Sequence, residues 1–263
     1  MAKLTKQQIK EHNIAVELLK KDHLTFDEKV TVFEKWNESA NSLNSEAGAF
    51  FTPVNFAADF SLTLYDNAKT IDLCAGIGML SFYAYHYNKC TDITCVELNP
   101  QYVEVGKKLL PEANWINASI LEYEKFGHFD QVISNPPFGK IKTGLDSDFK
   151  TKLDYKGSEF DLITIEIGSK IADYGSFIVP QVSTPFRYSG NKMFMDLRLK
   201  SKGYNPYELS VPRKVEKFIR ETGLNYNFNL GIDTSYYKND WKGVSPTCEV
   251  VTFEFKEDRE TAN

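Results

Sequence analysis

The chain has few cysteines and histidines, four of each among 263 residues. The cysteines are scattered and form no Cys-x-x-Cys pair, and the histidines do not lie at ligand spacing from them. This pattern argues against a zinc site and a disulfide framework, and it favours reduced thiols in a cytoplasmic protein. We therefore predict no metal. The four cysteines are Cys74, Cys90, Cys95 and Cys248.

Long apolar runs are also lacking. No stretch approaches the roughly 20 apolar residues that a helix needs to cross a bilayer. The first residues of the chain are polar and carry no apolar segment of a signal peptide. Neither a membrane protein nor an exported protein is expected, and the predicted location is the cytoplasm.

An excess of positive charge is missing too, because the formal net charge is −5. Such a balance is not typical of a nucleic-acid-binding protein. One stretch, residues 192–221, departs from it with eight basic residues against four acidic ones. This stretch predicts either a surface that follows phosphates or an ordinary solvated helix face.

The chain does contain enough apolar material for one large core, at 42% apolar and 14% aromatic residues. Its length fits one α/β domain with a short appendage. Residues 1–45 are predicted to be a helical extension, with one amphipathic helix over 5–21 and another after Thr25, where Thr25 and Glu28 have capping-box spacing. Residues 46–263 are predicted to form a catalytic domain without a separate target-recognition domain.

From residue 54 onward, strand-like and helix-like segments alternate along the sequence. This alternation predicts a mainly parallel sheet with right-handed crossovers, and a final pair of strands suggests one antiparallel member. The predicted strands are 68–73, 91–97, 113–118, 129–134, 175–179, 226–232 and 248–255. The predicted helices in this part are 79–88, 101–110 and 161–173.

A glycine-containing turn follows the first predicted strand, with the sequence Asp72-Leu73-Cys74-Ala75-Gly76-Ile77-Gly78. Such glycines let the backbone turn sharply and let a ligand approach main-chain N–H groups at a helix N-terminus. Glu97 closes the next strand, where an acid can accept hydrogen bonds from a ribose diol. Ser81 stands where the dinucleotide fingerprint has its third glycine, and the acid Asp72 opens the turn. These two details disfavour NAD and favour another nucleoside cofactor, while tight packing is the non-functional alternative.

The segment Asn135-Pro136-Pro137-Phe138 comes straight after the predicted strand 129–134, at the edge where open α/β sheets bind ligands. An exocyclic amine on an aromatic base is a poor nucleophile because its lone pair is delocalised into the ring. The Asn135 side-chain oxygen and the Pro136 carbonyl, aimed at the two N–H groups, would favour a more tetrahedral nitrogen. Two prolines hold that backbone rigid, and Phe138 can stack on an extruded base. The alternative is a plain Pro-Pro turn with Phe138 in the core.

On these residues the chain resembles the Rossmann-like class of S-adenosylmethionine-dependent methyltransferases that modify exocyclic amines. It is most similar to DNA N6-adenine methyltransferases in which the cofactor motif precedes the catalytic one, from Gly48 to about Val179. The resemblance implies S-adenosylmethionine as cofactor and a Rossmann-like class I α/β fold, with a mainly parallel seven-stranded sheet and one antiparallel terminal strand. The implied catalytic residues are Asn135, Pro136, Pro137 and Phe138. The implied cofactor-binding residues are Asp72, Cys74, Ala75, Gly76, Gly78, Glu97 and Asn135.

A further similarity lies upstream, in Phe51-Thr52-Pro53. In the DNA enzymes an aromatic-Thr-Pro segment lines the methionine end of the cofactor, so the resemblance adds these three residues to the cofactor site and favours DNA over RNA. The same residues also predict a helix start, with Thr52 as the cap and Pro53 at the first helical position. Ser119 is also an implied cofactor-binding residue, and it departs from the family, which usually has an aspartate there that contacts the cofactor adenine; serine can accept a hydrogen bond but carries no charge.

Too little chain follows Phe138 for a separate recognition domain once the sheet is complete. Site selection is therefore predicted to come from short insertions at 139–158 and 192–221 and from the aromatic loop 236–241. A specificity partner or a homo-oligomer is left open. Nucleic-acid contacts are predicted at Lys140, Lys142, Arg213, Lys214 and Lys217, for which solvated surface positions are the alternative.

The predicted reaction is direct in-line methyl transfer to the N6 amine of adenine in DNA, with the target base flipped out and stacked on Phe138. Three alternatives stay open. An RNA enzyme that methylates adenine N6 or guanine N2 would use the same tetrapeptide, and a protein-glutamine N5 methyltransferase would meet the same lone-pair problem. A non-catalytic nucleic-acid-binding subunit that depends on a partner would keep the fold.

Overall fold

The computed structural model describes residues 5–37, 50–140, 147–192, 194–198, 210–227, 231–242 and 244–261. The helices there are α1 (Lys6–Leu18), α2 (Phe26–Lys35), α3 (Val54–Phe60), α4 (Met79–Asn88), α5 (Pro100–Leu109), α6 (Ser147–Thr151), α7 (Phe160–Ile171), α8 (Arg213–Thr222) and α9 (Phe255–Thr261). The strands are β1 (Thr70–Leu73), β2 (Ile93–Glu97), β3 (Asn114–Asn117), β4 (Phe129–Ser134), β5 (Ala172–Pro180), β6 (Phe186–Arg187), β7 (Met195–Asp196) and β8 (Cys248–Phe253). Within these ranges no helix has the length and apolarity to cross a membrane, and no three side chains form a metal-binding group.

The main sheet has six strands in the described part of the chain, in the order β3-β2-β1-β4-β5-β8. The first five are parallel to their neighbours, and β8 runs antiparallel to β5. The predicted fold class, a mainly parallel α/β sheet with one antiparallel member, is confirmed. The strand order reverses between β1 and β4, so their carboxyl ends flank a topological switch point, where open sheets of this kind bind ligands.

The predicted seventh strand is not formed by the described residues. The segment predicted over 226–232 contributes an isolated antiparallel bridge between Asn227 and Thr252, and residues 228–230 lie outside the described ranges. The last strand also ends earlier than predicted, at Phe253, because α9 begins at Phe255.

Apolar side chains cover both faces of this sheet, and neighbouring strand residues alternate between the two clusters. Ile133 joins Phe60 and Phe82 on the face that carries α3 and α4. Val132 joins Ile163 of α7 on the other face. Because both faces are covered, nearly all residues of the central strands β1 and β4 are buried, as is typical of parallel sheets.

The two N-terminal helices pack on the α4 side of the sheet. Each begins with a complete capping box, and Thr25 and Glu28 form the one that precedes α2, as predicted. The Phe33 ring of α2 lies 5.1 Å from the Phe82 ring of α4, measured between centroids. Lys108 of α5 donates a hydrogen bond to the carbonyl oxygen of Leu19. These helices therefore share a core with the sheet, while the predicted boundary at residue 45 lies outside the described ranges.

Candidate active site

The turn after β1 takes the left-handed backbone that its glycines predict. Gly76 and Gly78 have φ angles of 57° and 90°, and Cys74 shares this region at 61°. A cysteine there is strained, because only glycine enters the region without a steric cost. The Ala75 N–H donates to the Val96 carbonyl oxygen at 3.0 Å. The turn is thereby tied to the end of β2, directly before α4.

Aromatic rings close on both glycines of the turn. A β-carbon on Gly76 would lie 2.8 Å from Phe51 Cε1, and one on Gly78 would lie 2.9 Å from Trp115 Cζ2. Neither position has room for a larger residue. Phe51, which is predicted to line the methionine end of the cofactor, is therefore in contact with the predicted cofactor turn.

Asp72 lies beneath this turn and is only 1% exposed. Its Oδ2 accepts a hydrogen bond from the Ser81 hydroxyl at 2.7 Å, and its Oδ1 has no hydrogen-bond partner among the described residues. Burial raises the pKa of Asp72 to about 7, opposed by the Ser81 hydrogen bond and reinforced by the charge of Glu97. A buried oxygen without a partner is energetically costly. This oxygen is therefore suited to accept from a cationic or N–H-bearing part of a ligand.

Glu97 ends β2 beside the turn. Its Oε2 accepts from the Gly76 N–H at 2.8 Å, and its Oε1 accepts from the Asn99 N–H at 2.7 Å. Burial raises the pKa of Glu97, while these backbone hydrogen bonds act in the opposite direction. An ionised carboxylate has about four acceptor positions, so two remain for a diol. Leu98, the next residue, is 64% exposed.

Asn135 follows β4 and points its amide nitrogen towards the segment before α3. Its Nδ2 donates to the Phe50 carbonyl oxygen at 2.9 Å and to Thr52 Oγ1 at 3.0 Å. One residue earlier, the Ser134 hydroxyl donates to the carbonyl oxygen of Leu73, at the end of β1. The predicted catalytic asparagine is therefore adjacent to the predicted cofactor turn, across the switch point of the sheet.

The end of the tetrapeptide packs against the α3 and α4 cluster, and the residue after it is held by α7. Pro136 is buried, whereas Phe138 is partly exposed and packs against the cluster that covers α3 and α4. The Gly139 N–H donates to Asp161 Oδ1 at 3.1 Å, and the Phe160 N–H donates to the Gly139 carbonyl oxygen at 2.7 Å. The first turn of α7 thus fixes the chain that leaves the tetrapeptide. The sequence reading gave Asp161 no role, because its partner is a backbone group.

The helix after the aromatic-Thr-Pro segment begins one residue later than predicted. Pro53 is the N-cap of α3 and not its first helical residue, which is Val54. Thr52 does not cap the helix, and its hydroxyl accepts from Asn135 instead. The predicted cap was wrong because a contact distant in sequence uses that hydroxyl.

Ser119 lies just beyond β3, and its hydroxyl oxygen has a structural partner. It accepts from the Leu121 N–H at 3.3 Å, and the Ser119 N–H donates to Glu122 Oε1 at 3.4 Å. These two bonds cap the 3-10 turn Ile120–Lys125. The Ser119 hydroxyl keeps its hydrogen and one acceptor position for a ligand.

The predicted phosphate contacts on α8 divide into two kinds. Burial raises the pKa of Asp161, and Lys214 is near enough for its charge to lower it, so the start of α8 lies beside the α7 turn that holds the tetrapeptide. Arg213 is exposed. Lys217 lies with its Nζ 5.8 Å from the centroid of the Tyr155 ring. Lys214 is therefore the member of this group that approaches the candidate site.

The other predicted nucleic-acid contacts do not form one surface among the described residues. Lys140 is exposed directly after the tetrapeptide, and Lys142 lies outside the described residues. In the aromatic loop, Tyr236 is 81% exposed, but Tyr237 stacks on Phe56 with ring centroids 5.0 Å apart. Tyr237 and Trp241 of that loop therefore pack on the core residue Phe56, and Tyr236 is its aromatic residue with an exposed ring.

Comparison with known sequences points to methyltransferases. Residues 53–151 match the methyltransferase small domain family. The chain is 27% identical over 122 residues to the tRNA1(Val) (adenine(37)-N6)-methyltransferase of Aliivibrio fischeri strain MJ11, a match that covers 43% of this chain and 52% of the relative. The chain thus spans about half the length of this curated relative.

Comparison with solved structures supports the fold alone, because the sequence identities are low. A protein assigned as the modification subunit of a type I restriction enzyme from Vibrio vulnificus YJ016 has a TM-score of 0.53 at 12% identity, over 89% of this chain and 50% of that one. A chain of a type I R-M system has a TM-score of 0.50 at 17% identity, over 88% of this chain and 48% of that one. The fold is that of Rossmann-like methyltransferases.

Proposed function

We propose that the chain transfers a methyl group from S-adenosylmethionine to the exocyclic N6 amine of adenine in a nucleic acid. The observation that carries this proposal is the adjacency of Asn135 to the glycine turn at the carboxyl ends of β4 and β1. The match of residues 53–151 to a methyltransferase family supports the reaction class. The adenine-N6 activity named for the Aliivibrio relative supports the target atom.

The residues around the turn fit the proposed cofactor. Asp72 has a buried oxygen without a hydrogen-bond partner in the described chain, and Glu97 keeps acceptor positions for a ribose diol. Phe51 lies over Gly76, where the predicted methionine end of the cofactor would pass. When bound, S-adenosylmethionine supplies an electrophilic methyl group that leaves its sulfonium sulfur as the amine nitrogen forms the new bond.

The chain's own contribution is to bind and orient the amine. Asn135 Oδ1 and the Pro136 carbonyl oxygen accept hydrogen bonds from its two N–H groups, which favours a more tetrahedral nitrogen with an available lone pair. The partly exposed Phe138 stacks on the flipped base. The amine loses its proton to water after the transfer, so positioning carries the catalysis.

RNA is the preferred substrate in this proposal, since the curated relative with adenine-N6 activity acts on tRNA. DNA is the second candidate, because the segment Phe51-Thr52-Pro53 resembles the corresponding segment of DNA enzymes. The prediction from the sequence preferred DNA because of that segment and the overall resemblance to DNA enzymes. Short surface elements, including α8 and Tyr236, are the proposed nucleic-acid contacts.

The test is a transfer assay with isotopically labelled S-adenosylmethionine on total RNA, duplex DNA and single-stranded DNA, followed by digestion to nucleosides and mass spectrometry. We expect labelled N6-methyladenosine from RNA. N6-methyldeoxyadenosine from DNA, with no product from RNA, would support the proposed reaction and show that DNA is the substrate. No methylated nucleoside from any of the three, although the cofactor binds, would contradict the proposal.

A further inference from the structure

The Asn135 side chain is held through its nitrogen only. Both of its N–H groups have partners, the Phe50 carbonyl oxygen at 2.9 Å and Thr52 Oγ1 at 3.0 Å. A primary amide has two such donors and one acceptor oxygen. The two contacts therefore use all the donors of the amide and leave Oδ1 on the opposite side.

The chemistry of the partners fixes which end of the amide faces them. The nitrogen and oxygen of an amide have nearly the same size, so shape alone does not distinguish the two orientations. The Thr52 hydroxyl can donate or accept, and it does not decide either. The Phe50 carbonyl can only accept, so a rotated amide would set two oxygens 2.9 Å apart. The nitrogen must therefore face Phe50.

The segment that makes these contacts is itself anchored. Thr52 is buried, at 4% exposure, and the next residue caps α3, whose Phe56 and Phe60 are fully buried. Between the two contacts, Phe51 lies over Gly76 of the predicted cofactor turn. One short segment thus contacts both the asparagine and the turn.

We propose that Phe50 and Thr52 are positioning residues that hold the Asn135 oxygen towards the substrate amine, and that they make position 135 of this chain selective for asparagine over aspartate. The inference rests on the proposed function, because it assigns the free oxygen to an amine. An aspartate would keep an acceptor for that amine. It would also place a charged oxygen against the Phe50 carbonyl, which has no proton to offer.

Kinetics on four variants give the first part of the test. Thr52→Val removes the hydroxyl and keeps the shape, so we expect kcat to fall about tenfold, the effect of one lost hydrogen bond, with the KM for S-adenosylmethionine within about twofold of wild type. Thr52→Ser should restore kcat. Asn135→Asp should lose at least about a hundredfold in kcat, close to Asn135→Ala. An active Asn135→Asp, or a Thr52→Val that changes only the KM for S-adenosylmethionine, would overturn the proposal.

The second part needs no activity. In protein labelled with ¹⁵N-asparagine, the side-chain NH₂ signals of Asn135 are identified by their absence in Asn135→Ala, and their hydrogen exchange is measured without ligands. We expect slow exchange in wild type, at least about tenfold faster exchange in Thr52→Val, and recovery in Thr52→Ser. Equal exchange in wild type and Thr52→Val would overturn the positioning role. Slow, Thr52-dependent exchange in a chain that methylates no nucleic acid would retain the positioning role and reject the proposed function.

Discussion

Two buried carboxylates, Asp72 on the central strand β1 and Glu249 on the terminal strand β8, are each 1% exposed. Asp72, under the glycine turn, has the Ser81 hydroxyl as its partner on one oxygen and none in the described chain on the other. Glu249 of β8 accepts from the Gln181 amide, from the N–H groups of Tyr188 and Ser189, and from the Ser189 hydroxyl. Asp72 is therefore incompletely hydrogen-bonded within the described chain, whereas both oxygens of Glu249 have donors.

The difference separates the candidate cofactor site from a scaffold. The donors around Glu249 come from the chain that follows β5, so this carboxylate fixes the loop after the strand that neighbours β4. Asp72 stabilises nothing comparable, and its raised pKa reflects a burial that the fold alone does not compensate. We infer that Glu249 is there for stability and Asp72 for binding.

The largest expected effect is on the scaffold side. Glu249→Ala leaves four buried or partly buried donors without their acceptor and should lower the free energy of unfolding by about 4 kcal/mol. Urea denaturation measures this loss. Glu249→Gln, which keeps one acceptor oxygen, should lose less. A loss below about 1 kcal/mol for the alanine variant would show that the bonding around Glu249 does not stabilise the loop.

The next effect is a pH dependence that Asp72 should confer. Its pKa is raised in the fold to about 7, so the favourable contribution of its protonated form is present at low pH and is lost as pH rises through about 7. Between about pH 5 and pH 8 the wild type should lose about 3 kcal/mol of unfolding free energy relative to Asp72→Asn. Denaturation at several pH values measures the difference. The exposed Asp92→Asn is the control, and an identical slope in wild type and Asp72→Asn would contradict the inference.

A smaller effect concerns the cofactor. Glu97→Ala removes the acceptors proposed for the ribose diol and should weaken S-adenosylmethionine binding about thirtyfold, or about 2 kcal/mol. Titration calorimetry measures the dissociation constant. Glu104→Ala, an exposed acid on the following helix, is the matched control and should bind as wild type does. Unchanged affinity in Glu97→Ala would remove this residue from the site.

The smallest expected effect lies on α8. Lys214→Ala, next to Asp161, should weaken RNA binding about fivefold. The slope of the logarithm of the binding constant against the logarithm of salt concentration should fall in magnitude by about 1. Lys256→Ala on α9, at the opposite edge of the sheet, is the control. Fluorescence anisotropy at several salt concentrations measures both variants. An unchanged salt dependence in Lys214→Ala would leave this lysine as a partner of Asp161 alone.

The sequence predicted the bounds of a helix or strand correctly where a local signal marks its beginning or its end. The predicted bounds of α4 and β4 are the observed ones, because a left-handed glycine precedes the first and a proline pair follows the second. The segment 226–232 was also predicted as a strand, and the described part of it contains only the bridge at Asn227. A local sequence pattern does not report whether a neighbouring strand is in register.

The contacts that organise the candidate site could not be predicted from the sequence. The bond between Asn135 and Thr52 joins residues 83 positions apart, and the sequence motif predicted a cofactor-binding role for Thr52, with a helix cap as the alternative. In the sequence, Glu249 cannot be distinguished from a strand acid that faces solvent, because its donors lie about 60 residues upstream. Motifs identify residues by type, whereas these partnerships depend on which loops the sheet brings together.

The measurement that tests the central claim most directly separates binding from transfer in one variant. Asn135→Ala and wild type are each titrated with S-adenosylmethionine and then mixed, cofactor-loaded, with excess RNA to follow a single turnover. If Asn135 orients the amine beside an independent cofactor turn, the variant should bind S-adenosylmethionine within about threefold of wild type and lose at least about a thousandfold in the transfer rate. Transfer by the variant within about tenfold of the wild-type rate would contradict the account.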